Sequence, residues 1–258
     1  MPSFLKNLLI PSMVLSMTRL LASPPVDSIP SPVVLAEQLL YGARTGKSVS
    51  ETEKMLRELD PVLLEKVLQD PGPSLAFWLN LYNGFTQMAL QRDPALYQQR
   101  GRFFRSKQFI LASHRISLDE IEHGIIRSSS IKWGLGYLRN PFPGKFEKKF
   151  RLKKKDPRIH FALNCGAKSC PPILFYQSAQ LDRQLEMATR NYLKSEVLYD
   201  SVTNRVRLPV LFSWFRGDFG GRKKIYKLLE SYSLIPAGSK PSIRYNAYNW
   251  ELTIIPET

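Results

Sequence analysis

The stretch RIHFALNCGAKSCPP, residues 158–172, holds one of the three histidines and both cysteines of a 258-residue chain. A thiolate, an imidazole within hydrogen-bond reach and a third group that orients the ring are the parts of nucleophilic acyl chemistry. His160, Cys165 and Cys170 are therefore the first candidates for a site. Residues 159–165 read as a strand, whose period of two puts His160, Ala162 and Asn164 on one face and Phe161, Leu163 and Cys165 on the other. Gly166 and its neighbours break that strand, and Pro171 and Pro172 deny ladder hydrogen bonds beyond it. Cys170 then rides on a loop that folds back over the histidine's face. If one cysteine is a nucleophile, this placement favours Cys170, with His160 as general base. Asn80, Asn83, Asn164 and Asp218 are the candidate orienting or substrate-facing groups, and the backbone amides from Gly166 to Ser169 are a candidate oxyanion hole.

Other uses of the same residues stay open. Cys165 and Cys170 are spaced for a disulfide. A zinc site on His160, Cys165 and Cys170 lacks a paired knuckle and a fourth ligand. Two small thiols around a sharp turn also serve as plain core residues. No cofactor is implied.

Several elements must position this set. The run SLAFWLNLYNGFTQMAL, residues 74–90, is apolar nearly all round, which predicts a helix buried inside the domain. Ala76, Asn80, Asn83 and Gln87 share one stripe of it, so its amides need polar partners facing them. They either clamp a loop backbone or line a cleft. KQFILASHRIS predicts a short hairpin. ISLDEIEHGIIR predicts a helix opened by a Ser117–Glu120 capping box and an Ile116–Ile121 staple, with His123 one turn after Asp119 as a candidate substrate-facing or ion-pair residue.

Ahead of these, Ser50 and Glu53 have capping-box spacing, Asp60-Pro61 starts another helix, and Pro71-Gly72-Pro73 reads as the turn that closes it. Eight basic residues lie between Lys145 and Arg158. They have no helical or strand period, so the stretch reads as a solvated basic loop that could dock an acidic partner. Beyond it, QLDRQLEMATRNYL is helical, with Leu181, Leu185, Ala188 and Tyr192 on one face. SEVLYDSVTNRVRLP is a hairpin about Thr203-Asn204, LFSWFRGDFGG is an aromatic loop carrying Asp218, RKKIYKLLESY is amphipathic, and SIRYNAYNWELTII alternates like a strand.

Helices and strands mix without a strand–helix beat, which predicts the α+β class: N-terminal helices and a buried central helix packed on a mostly antiparallel sheet. No repeat or second boundary appears, so residues 33–258 read as a single domain after a flexible segment, 1–32. That segment carries Lys6, an apolar run from Leu8 to Met17 and small residues near Ala22. Pro11 and Arg19 spoil it as a secretory signal, and a cytoplasmic location is favoured over export. The run is far short of the roughly 20 residues of a membrane span. Two cysteines exclude a disulfide scaffold, and 37 basic against 22 acidic residues, a net +15, favour acidic partners.

AFWLNLYNGFT, ISLDEIEHGIIR, DPRIHFALNCGAKSCPP, FSWFRGDFG and YNAYNWEL, in this order over about residues 73–252, resemble the domain of unknown function family DUF547. The resemblance implies that Asn80, Asn83, His123, His160, Cys170 and Asp218 belong to a shared polar set, and it implies no reaction. A more distant likeness is to papain- and transglutaminase-like architectures. There the buried helix begins with cysteine, where this chain offers Asn80 and Asn83. Two functions are expected to compete: thiol-dependent hydrolysis or acyl transfer on an acyl or peptide-like substrate, and a non-catalytic interaction module that docks through Lys145–Arg158.

Overall fold

The computed structural model describes residues 30–254. The apolar run and nearly all of the expected flexible segment lie outside the described residues. Helix α1 (Pro32–Thr45) starts on a proline preset for the first turn, capped by Ser31 Oγ, which accepts from Val34 N at 3.4 Å. In α2 (Ser50–Glu58) Ser50 is not the cap. Val49 precedes it and no side chain caps this helix, so the capping box does not form. Helix α3 (Pro61–Val67) is capped as expected, Asp60 Oδ1 accepting from Val62 N at 2.8 Å. Pro71 and Pro73 do not make a closing turn; they lie in the first turn of α4 (Pro71–Arg92), where a missing N–H has no intrahelical acceptor to lose.

Every residue of α4 from Ser74 to Leu90 is buried. Its main partner is α1, and the antiparallel hairpin β1 (Phe109–Leu111) with β2 (His114–Ile116) packs on it through stacked Phe85 and Phe109 rings, centroids 4.4 Å apart. The central helix is thus packed mainly on helix, with a smaller sheet contribution than the sequence predicts. The two-residue turn Ala112-Ser113 has positive φ at both positions, the twist a tight hairpin needs. Helix α5 (Arg100–Arg105) leads into this hairpin.

The segment Glu120–Ile126 is a π-helix, with Arg127 N reaching Glu122 O at 2.8 Å and Ser129 N reaching Gly124 O at 2.7 Å. Ser117 Oγ accepts from Glu120 N as a cap should, and Ile116 and Ile121 are both fully buried. Wide turns of this kind are rare and gather at functional sites. The basic tract is not an unstructured loop. It begins with α6 (Lys145–Phe150), which buries Phe150 and Glu147.

Residues 159–165 do not form a strand. Asp156 and Pro157 start a 3-10 helix, Pro157–Phe161, with Asp156 Oδ1 accepting from Arg158 N at 2.9 Å. A capped turn outweighs the apolar alternation that follows it. Helix α7 (Leu181–Glu196) buries the predicted face. Strands β3 (Leu198–Asp200) and β4 (Arg205–Leu208) form the expected hairpin with Asn204 at φ 46°, and β5 (Ser242–Tyr245) joins β4 in parallel. Short helices α8 (Leu211–Trp214) and α9 (Arg222–Ser231) flank Asp218. The class is α+β, with small sheets and a helical majority. Among the described residues no helix is long and apolar enough to cross a membrane.

Two apolar clusters make the core. Ile159 and Ala162 enter the one built on α4, Phe161 enters the one under α7 and β4, and Tyr248 packs against both. The histidine turn therefore stitches the two together. Asn80 and Asn83 fix it and the chain beyond it to α4: Asn83 Nδ2 donates to Ala162 O at 3.0 Å and Asn83 Oδ1 accepts from Asn164 N at 2.9 Å, while Asn80 does the same for Tyr176 at 2.7 and 2.9 Å. Replacing Asn83 with Ala leaves a buried carbonyl unpaired, costing about 1–3 kcal/mol, together with a half-buried N–H. The expected result is a lower urea midpoint at unchanged slope, and a variant within error of the parent would show that the clamp is dispensable.

Candidate active site

A cleft of about 370 Å³ opens where the two clusters meet. Trp214, Phe215, Tyr248, Trp250, Phe104 and Leu211 give it apolar walls, and Tyr82, Asp119, Glu122, His123 and Lys132 line it too, together with His160, Cys165 and Cys170. Expected on opposite faces of a strand, His160 and Cys165 both face this space, because the chain between them turns.

Asp218 organises one side. Its carboxylate is 1% exposed and accepts from three elements: Arg127 Nε at 2.7 Å and His160 Nε2 at 3.0 Å on Oδ2, and Lys155 Nζ at 2.7 Å on Oδ1. Burial alone would push the Asp218 carboxyl up. The hydrogen bond from His160, the Arg127 charge and the Lys155 ammonium outweigh it and hold the group well below the usual carboxylate range. A carboxylate only accepts, so Nε2 of His160 carries the proton and, in the neutral ring, Nδ1 keeps the lone pair. Burial pulls His160 below its ordinary value, with the Asp218 bond opposing. Its ring stacks on Phe215 with centroids 4.0 Å apart, and the Arg127 guanidinium lies 4.5 Å from the same ring centroid.

The loop crossing that presents Asp218 is built on glycine. At Gly136, φ +85°, a Cβ would stand 2.5 Å from Asp218 N, and at Gly217 a Cβ would stand 2.5 Å from the carbonyl carbon of Gly136. Gly217 N also donates to Leu135 O at 2.7 Å, and Lys155 bridges Gly136 O and Asp218.

His123 belongs to the π-helix. Arginine only donates, so the 2.7 Å contact from Arg127 Nη1 makes Nδ1 of His123 the acceptor and places its proton on Nε2, 3.6 Å from Asp119 Oδ1. Burial lowers His123 to about 3, Arg127 adds to the shift and Asp119 opposes it. Consecutive positive φ values at Ser128 and Ser129 follow directly, backbone strain of the kind that collects at such sites.

The thiols make another part of the lining. Both cysteines are free, half-buried and 3.0 Å apart at sulfur. Cys170 Sγ accepts from Cys165 N at 3.1 Å and lies 3.2 Å from Tyr248 Oη, whose own ionisation is pushed far up by burial and the adjacent sulfurs. Burial pushes the Cys170 thiol up, but hydrogen bonds from Cys165, Tyr248 and the amides of Cys165 and Ala167 more than offset it and bring it to about 7. The bond to Cys170, and then burial, drive Cys165 the other way. Cys170 and His160 line one cleft, and no hydrogen bond joins them among the described residues.

The other sequence candidates sit elsewhere. Asn80 and Asn83 are the clamps described above. Asn164 spends its side chain on Pro171 O and Gly166 N, both at 2.9 Å. Ser169 Oγ accepts from Asn249 N at 2.8 Å, its N donates to Asn249 O, and its carbonyl accepts from Tyr192 Oη. The expected oxyanion hole does not form: Gly166, Lys168 and Ser169 amides are bonded to Asn164, Glu251 and Asn249, and the Ala167 amide turns to the sulfurs. Among the described residues no group of three or more His, Cys, Asp or Glu side chains is arranged to hold a metal. Sequence reasoning missed Arg127, Lys155 and Tyr248. The spacing of Arg127 four residues after His123 was the available signal for the first. Nothing distinguished Lys155 from its neighbours in the basic run.

Residues 70–193 match the family described as protein of unknown function, DUF547. Over this region the chain is similar to that family. The region supplies α4, the π-helix, the histidine turn and both cysteines, while Asp218 and Tyr248 lie beyond its end. No curated protein and no solved structure matches the chain.

The site carries a sign for pH. His123, His160 and Asp218 all have folded values below their ordinary ones, so the unfolded chain binds more protons and stability rises with pH. The His123 contribution is complete above 6.5 and is lost as pH falls from there towards about 3. That of Asp218 begins to be lost only below its ordinary value of 3.8. Urea unfolding at about pH 7 and about pH 5 is expected to show a smaller acid loss in His123→Gln than in the parent. Equal losses would mean that His123 is charged in the fold.

Proposed function

We propose that the cleft performs thiol-dependent acyl chemistry, hydrolysis or transfer, on an acyl or peptide-like substrate. Cys170 is the nucleophile, His160 the general base, Asp218 the residue that orients the imidazole, and His123 Nε2–H a donor to substrate oxygen. The observation that carries this is the hydrogen-bonded Cys170 sulfur in the same cleft as an imidazole anchored through Nε2, with its lone pair on Nδ1. The Cys170 proton passes to His160 Nδ1, and sulfur attacks the acyl carbonyl as the thioester bond forms. The leaving group departs with the proton that His160 held. Water or a second nucleophile then releases the acyl group. Asn80, Asn83, Asn164 and Ser169 serve as the frame that holds the histidine turn and the cysteine loop.

The test is an acyl adduct. Incubation with a panel of activated esters and thioesters, read by intact and peptide mass, is expected to label Cys170. Cys170→Ser should abolish the adduct, and His160→Ala should slow its formation by about 10²–10⁴-fold. Iodoacetamide alkylation of Cys170 should titrate at about 7 and move up in Tyr248→Phe. A parent protein that takes no acyl group, with Cys170 resisting alkylation until unfolding, overturns the proposal.

A docking role for the basic face is favoured by a different observation. Trp133 is 77% exposed and Phe142 88%, with Leu135, Tyr137 and Leu138 also exposed between them. From residue 131 to 155 the only acidic side chain, Glu147, is buried. Lys149 pairs with Glu65 and Lys155 with Asp218, while Lys145, Lys148, Lys153 and Lys154 are exposed. A partner that presents negative charge fits this face. Heparin retention should fall to lower salt when those four lysines are changed to Gln, by more than four lysine changes on α9 and its surroundings produce. Equal shifts would reduce the effect to net charge.

A further inference from the structure

The two sulfurs, at 3.0 Å, are about 1 Å from the disulfide bond length of about 2.05 Å. They lie five residues apart on a loop whose backbone is held from outside: Lys168 N bonds Glu251 O and Thr253 N bonds Gly166 O, each at 2.8 Å. The pair is also unequal. Cys170 collects the hydrogen bonds of Cys165 N and Tyr248 Oη, which favour its thiolate, while among the described residues the polar contacts of Cys165 Sγ are Cys170 Sγ and, at 3.6 Å, Tyr248 Oη. Unequal thiols in contact, one ready to attack and one protonated beside it, are the arrangement that thiol–disulfide exchange requires. Both line the cleft, whose size admits a small disulfide, and the Arg100 guanidinium, 5.0 Å from the Trp250 ring centroid on its wall, suits a carboxylate on that molecule.

We propose that Cys165 and Cys170 are a dithiol–disulfide couple that exchanges with small-molecule disulfides of the glutathione class, Cys170 attacking and Cys165 resolving. The Cys170 thiolate attacks one sulfur of the disulfide; a Cys170–S bond forms, the S–S bond breaks, and one small thiol leaves with a proton from solvent. Cys165 then gives up its proton and attacks the Cys170 sulfur. The protein disulfide forms and the second small thiol leaves carrying that proton. The dithiol loses two electrons and the small disulfide gains them. The exchange stands apart from acyl chemistry. Only its consequence, that oxidation withdraws the Cys170 nucleophile, rests on the proposed function.

The experiment equilibrates the full chain in glutathione buffers of graded ratio, quenches with acid, alkylates the free thiols after denaturation and reads intact and peptide mass. The expected product under oxidising buffer is a Cys165–Cys170 disulfide. Its mass is lower by two hydrogens, both thiols are unlabelled, and dithiothreitol reverses it. Cys165→Ser should halt at a glutathione adduct on Cys170. A parent protein that stops at that adduct, or keeps both thiols reduced until it unfolds, overturns the couple. The acyl-adduct assay run in dithiothreitol separates the two ideas. No adduct there sinks the acyl chemistry and leaves the exchange standing, and an undiminished adduct after oxidation overturns the withdrawal of Cys170.

Discussion

One buried carboxylate sets the terms for this site. Asp218 is held where it has almost no water, and it stays ionised because an arginine, a lysine and an imidazole N–H converge on it from three parts of the chain. Removing one partner of such a set leaves a charge uncompensated in a dry place, which costs several kcal/mol. The dependence runs outward. Arg127 is fixed by Asp218 and in turn fixes the tautomer of His123, while His160 is oriented by the same oxygen. Both histidines keep a definite protonation pattern at neutral pH because of one side chain that does not line the cleft.

The thiol side obeys a different physics. Among the described residues no cation is bonded to Cys170; its thiolate is favoured by ordinary donors at hydrogen-bond distance. Such stabilisation depends on geometry more than on charge, so it is sensitive to small movements of the cysteine loop. That loop is tied to residues 249–253, and Tyr248 sits on the boundary of the two apolar clusters. The chemistry of one sulfur thus rests on strand-like bonding eighty residues away in sequence.

What the sequence revealed followed from local rules. The buried helix, the Ala112-Ser113 hairpin, the Asp60 cap and the amphipathic α7 each obey one pattern over a few turns, and each is present. The concentration of His160, Cys165 and Cys170 in one stretch did point to one cleft. The errors arose where two local signals competed or where a partner was distant. Alternation over 159–165 mimicked a strand, while Asp156-Pro157 was already starting a capped turn. Asn80 and Asn83 were legible as amides needing partners, with a loop backbone among the partners expected; which loops, some eighty to ninety-six residues on, was not. Lys155 looked like seven other basic residues around it, and only the fold shows that it points inward.

The glycine crossing has a mechanical side. At Gly136 and Gly217 two loops touch main chain to main chain, with no side chain between them to yield. One of those loops continues on either side into the exposed aromatic run of Trp133, Tyr137 and Phe142, and the other carries Asp218. Packed backbone transmits displacement where a layer of rotamers would absorb it. A load placed on the outer loop is therefore felt first at the peptide that holds the carboxylate, which makes the surface and the cleft two ends of one short lever.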